Sequence, residues 1–113
     1  MAEEHVELAA ELVDGRLRFS AEAVAAAGLD ALESCALLRE GEDLWLMPLR
    51  DGRHGGLLFK RRNAHGDRVV EAVDFFRRHG LAGAAPRRLR FLWCSRRAAY
   101  VARNVFAKHG QDD

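Results

Sequence analysis

The sequence predicts an α+β domain, a small mixed or antiparallel sheet or barrel of about four to six strands with three short helices. Three observations carry this expectation. Short segments alternate apolar and polar residues with the period of a half-buried strand. Helix-prone segments follow some of them, and two end in a Gly-Leu pair, Gly28-Leu29 and Gly80-Leu81. Turn-forming residues, Asp14-Gly15 and Glu40-Gly41-Glu42-Asp43, separate the apolar runs.

In chain order, Leu17 and Phe19 would face one way and Arg16 and Arg18 the other, as in a half-buried strand. Asp14-Gly15 makes Val6 to Val13 its hairpin partner or a short helix. Ser20 stands where a helix N-cap belongs, since its hydroxyl can accept an orphan backbone N–H. Ala21 to Ala27 is helical by propensity, Glu22 suits the first turn, and Gly28 supplies the left-handed residue after the helix. Cys35 to Glu40 and Asp43 to Leu49 form a hairpin, with Pro48 near a strand end or on an edge. DGRHGG (51–56) is a connection and LLFKRR (57–62) another strand.

Asp67 is expected to cap a helix carrying Val69, Val70, Val73 and Phe76 as its stripe, with Arg77, Arg78 and His79 in its last turn. RLRFLWC (88–94) reads as a strand. Ser95 then caps a last helix with Ala98, Val101, Ala102, Val105 and Phe106 on its apolar side. Strand, cap, helix and glycine recur, but no internal repeat stands out.

The 113 residues suit a single domain, 1–113, with a strand–helix–hairpin unit at 15–49 and a basic α/β extension at 57–109. No stretch approaches the ~20 apolar residues of a membrane span. The acidic start, MAEEHVELAAELVDG, is unlike a secretory signal. Two cysteines, Cys35 and Cys94, read as thiols of a reducing cytoplasm.

Net charge is +1, but it is unevenly spread. Residues 1–49 hold three basic against eleven acidic groups, and residues 50–113 hold fifteen against six. Lys60, Arg61, Arg62, Arg87, Arg88, Arg90, Arg96, Arg97 and Arg103 lie beside Phe59, Phe91, Trp93 and Tyr100. Arginine on phosphates with aromatic neighbours is one way to build a nucleic-acid surface, and an acidic protein would meet the same residues.

The five histidines show no metal-ligand spacing, and no cofactor is called for. Gly52, Gly55 and Gly56 could cradle an anion but lack a phosphate-loop context. Cys94, ahead of an expected helix start with Arg96 and Arg97, would gain thiolate character from dipole and cations. Its surroundings resemble the strand–Cys–Arg–helix of rhodanese-type sulfurtransferases, with a shorter loop and no glycine between Cys94 and Arg97.

GRLRFSAEAVAAAGLDALESCALLREGEDLWLMPL, within residues 15–49, resembles the AbrB/MraZ-like swapped-hairpin family. That resemblance implies a small barrel of two interlocked copies, a homodimer, and DNA binding through Arg16 and Arg18. Ser20 replaces the family's usual proline, and Ala21-Glu22 its basic helix start. The expected function is therefore a small non-enzymatic DNA-binding regulator of the cytoplasm. Its contacts would come from Arg16, Arg18, Lys60, Arg61, Arg62, Arg87, Arg88, Arg96 and Arg97. The alternatives are an accessory or assembly protein that binds an acidic partner and, third, a Cys94 thiol enzyme.

Overall fold

The computed structural model describes residues 7–49, 56–81, 83 and 85–107. The expected hairpins of the first half are present. Strand β1, Glu7–Val13, alternates exposed and buried side chains and pairs antiparallel with β2, Arg16–Phe19. Asp14 and Gly15, at φ 51° and 79°, turn the chain between them, as a right-twisted hairpin requires. A Cβ on Gly15 would stand 2.7 Å from the Cα of Val73, so only glycine allows this approach.

Helix α1, Ala21–Ala26, starts at Ser20, whose Oγ accepts the N–H of Ala23 at 3.1 Å. It ends at Gly28, and the N–H of Leu29 donates to the carbonyl of Val24. Strands β3, Ser34–Glu40, and β4, Asp43–Leu49, form the next hairpin, closing on Gly41-Glu42. Beyond them, β5 is Leu57–Leu58, β6 Lys60–Arg61, β7 Arg68–Glu71, α2 Val73–Arg78, β8 Arg87–Cys94 and β9 Ala99–Ala102.

The strand order is β5-β3-β4-β9-β8-β1-β2-β7-β6, antiparallel throughout. Its two ends meet in sequence. Leu57 and Leu58 pair with β3, Lys60 and Arg61 pair with β7, and Phe59 lies between with its ring inside. The Phe59 N–H donates to the carbonyl of Glu33, so the stretch 57–61 all but closes a barrel. Leu8, Leu17, Phe19, Leu44, Leu46, Val70, Phe76 and Phe91 fill it, each about 1.5–3 kcal/mol more favourable inside than in water.

The described residues form a nearly closed antiparallel barrel of nine strands with two short helices, not the expected α+β fold of four to six strands and three helices. Strands take 48% of the described residues and helices 13%. Two expected helices account for the difference. Residues 68–71 are strand, because Val69 and Val70 are β-branched and have open edges of β2 and β6 to pair with. Only Val73–Arg78 is helical there. The expected last helix is instead a turn, with Ala98 at φ 53°, and then β9. All four β9 side chains are buried, so helical spacing there gives way to a strand covered on both faces.

The two halves repeat one another. β1, β2, α1, β3 and β4 correspond to β5/β6, β7, α2, β8 and β9, and exchanging the sets returns the same ring. The helices match position for position: Ser20 with Ala72 as N-caps, Val24 with Phe76 in the core, Gly28 with Gly80. Leu29 and Leu81 make the same closing bonds, to Val24 and Phe76. Two interlocked strand–helix–hairpin units thus share one chain.

Candidate anion-binding groove

Strand alternation decides which charges face out. On β1 it exposes Ala9 and Glu11, on β2 it turns out Arg16 and Arg18, and on β8 it exposes Arg88 and Arg90. The registers place Arg88, Glu11, Arg18, Val69 and Lys60 in one row across β8, β1, β2, β7 and β6.

The turn between β6 and β7 overhangs this row. Its Asn63 is locked: Oδ1 accepts the N–H groups of His65 and Asp67, and Nδ2 donates to Asp67 Oδ2 at 3.0 Å. The Arg62 N–H donates to the Asp67 carbonyl at 2.7 Å. These bonds hold Arg62 beside Arg18 and Arg88 around a groove of about 380 Å³, floored by Ala9 and Ala10 and edged by Glu11 and Ser20. Among the described residues, no carboxylate comes within ion-pair distance of Arg18, Arg62 or Arg88.

Asp67, also on this groove, is held below the ordinary carboxylate range. The Asn63 side chain and the Ala21 N–H are the main causes, with the charges of Arg62 and His65 adding to them. Asp67 and Glu11 thus offset part of the arginine charge. Three guanidinium forks facing one concavity suit a planar or tetrahedral oxyanion.

The other expected contacts are dispersed. Arg16 and Lys60 both reach Glu71, at 3.4 and 3.8 Å, on the same face as the groove. Arg61 is exposed on β6, paired with Arg68. Arg87 donates to the Val105 carbonyl at 2.9 Å. Arg96 and Arg97 sit in the β8–β9 turn, at the far end of β8 from Arg88. Arg97 forms a two-bond pair with Glu40 and lies 4.3 Å from the Trp45 ring centre, and Arg103 pairs with Asp43.

Cys94 has lost its expected helix start. A turn follows it, and its side chain packs on the outer cluster of Trp45, Ala99 and Val101. No group of metal-ligating side chains is found among the described residues. His79 packs at a tilt against the rings of Phe75 and Phe106. Of the glycine cradle, Gly52 and Gly55 lie outside the described residues, as do His5, His54 and His109. Gly56 is packed against Leu49 and the Cys35 carbonyl.

Glu11, Ser20 and Asp67 complete the groove, Asn63 fixes the turn beside it, and none of the four is among the expected contacts. The alternation of β1 was the signal for Glu11, and the run Asn63 to Asp67, rich in turn formers, was the signal for a fixed loop. No helix of the described residues is long and apolar enough to cross a membrane. Compared with models of protein families, with curated proteins and with solved structures, the chain gives no match.

Proposed function

We propose that the protein is a non-enzymatic nucleic-acid-binding regulator whose β8–β1–β2 face grips phosphates. The observation that carries this reading is the convergence of Arg18, Arg62 and Arg88, unpaired among the described residues, on one groove. Arg16 and Lys60, on the same face, join the basic track when Glu71 releases them. The swapped-hairpin resemblance of residues 15–49 supports DNA as the nucleic acid, and Arg18 belongs to both arguments.

Phosphate contacts release counterions, so binding must weaken with salt. Three contacts give a slope near −2.7 in log K against log salt, or about a 40-fold loss between 50 and 200 mM. Fluorescence anisotropy on duplex DNA, from the protein's own promoter and from a scrambled control, measures that slope and the preference together. A slope of this size with preference for the promoter supports the reading. Absence of binding at low salt overturns it, and an acidic protein becomes the ligand class for the same arginines.

A further inference from the structure

We propose that Glu11 is the base-reading residue of the β8–β1–β2 face, and that it selects a cytosine in the major groove of a DNA duplex. The inference rests on the nucleic-acid reading above and adds a sequence preference to it. Its starting point is a mismatch of charge. A face that grips phosphates carries a carboxylate at its centre, where it repels them.

The strand registers show why a carboxylate fits there. Glu11 stands opposite Arg18 on one side and Arg88 on the other, so β1 runs between two basic strands. Neighbouring strands lie about 4.8 Å apart, which sets the two arginine backbones roughly 9.5 Å from each other. The major groove of DNA is about 12 Å wide, with phosphates along both walls and base edges on its floor. With β1 laid along that groove, Arg88 meets one wall and Arg18 with Arg62 the other. Glu11 then faces the bases between them. It is exposed, and neither Arg18 nor Arg88 comes within ion-pair distance of it. Ala9, the next outward residue of β1, is too short to hold the duplex away.

Hydrogen-bond chemistry names the base. A carboxylate accepts hydrogen bonds and donates none. On the floor of the major groove only the cytosine N4 and adenine N6 amino groups donate. Adenine sets its amino group beside the N7 acceptor, which a carboxylate repels, whereas cytosine sets N4 beside a C–H. Phosphate contacts carry no sequence information directly, so Glu11 supplies what Arg18, Arg62 and Arg88 do not.

The test is selection of bound duplexes from a pool with a randomised centre, by the full chain and by its Glu11→Gln and Glu11→Ala variants, followed by anisotropy on the selected duplexes. The expected result is one position that demands cytosine, where any other base weakens binding about tenfold. Glu11→Gln moves that demand to adenine, whose N6 and N7 the amide engages together. Glu11→Ala accepts all four bases there. Glu11 is exposed, so both variants should keep the parent's melting curve. Duplex binding with no position that demands cytosine overturns the proposal and leaves the phosphate reading standing. So does a cytosine demand that survives in both variants, or a Glu11→Gln gain in affinity that is equal for every sequence, which would make the carboxylate a repulsion only. Failure of every duplex to bind at low salt overturns the nucleic-acid reading and this inference together.

Discussion

Asp67 Oδ1 accepts the N–H of Ala21 at 2.8 Å, so the turn before β7 caps the helix that follows β2. One half of the repeat thereby closes the helix start of the other, alongside Ser20, whose Oγ accepts the N–H of Ala23. Asp67 is the residue expected to cap its own helix. It caps a helix, but the one that follows the adjacent strand β2.

This cap sets a pH dependence. The Asp67 carboxyl is held low in the folded chain, first by Asn63 and then by the Ala21 N–H. A carboxylate depressed on folding contributes stability above its unfolded pKa of about 3.9 and loses it as pH falls through the folded value. Asp67→Asn is expected to lower the melting midpoint at pH 7. The difference from the parent should shrink to nothing in acid. A difference that stays constant from pH 7 to pH 2 would show that Asp67 acts only by shape.

Arg68 is 8% exposed and meets no carboxylate among the described residues. Its guanidinium instead donates to three carbonyls, those of Asp30, Leu32 at 3.1 Å and Phe59 at 3.0 Å, and lies over the Phe59 ring. It joins the loop after α1 to the β5–β6 break where the barrel closes. Arg68→Met leaves those carbonyls without a donor and should cost about 2–4 kcal/mol, partly offset by removal of a buried charge. Urea unfolding measures it. Arg68→Lys should recover little, since an ammonium cannot span the three acceptors.

The two thiols should differ. Burial pushes Cys35 up to about 12, so it carries almost no thiolate at pH 8. Thiol-disulfide reagent at that pH should modify Cys94 alone in the native protein, and Cys35 only after denaturant is added. Mass spectrometry of the labelled peptides distinguishes them. Rapid native labelling of Cys35 would mean that the β3–β5 seam opens readily.

The first half of the barrel was legible because its signals are local: Asp14-Gly15, Ser20, Gly28-Leu29 and the Glu40–Asp43 turn each act within a few residues. The second half was misread where its local signals point the wrong way. Val69 and Val70 fit a helical stripe, and Ala98 to Ala102 is alanine-rich, yet both pair with strands distant in sequence. The repeat was concealed by its side chains. Ala27 and Ala23 stand opposite His79 and Phe75, so only caps and glycines match. The basic residues were found, but their grouping depends on barrel closure. Arg18, Arg62 and Arg88 converge only once β1, β2 and β8 are neighbours and the 63–67 turn is fixed.

That grouping sorts the arginines by effect on DNA binding. Arg18→Ala and Arg88→Ala each remove a guanidinium with no ion pair among the described residues, so each should weaken binding and flatten the salt slope by about one. Arg16→Ala should do less, because that side chain must first leave Glu71. Glu71→Gln should strengthen binding, since it frees both Arg16 and Lys60. Arg97→Ala breaks a pair with Glu40 at the far end of β8 and should leave the slope unchanged. Arg87→Ala removes a bond to the Val105 carbonyl, and should lower thermal stability while DNA contacts persist. Anisotropy at four salt concentrations and a melting curve for each variant separate these outcomes. Equal losses for Arg18→Ala and Arg97→Ala would mean that diffuse positive charge, rather than the groove, attracts the DNA.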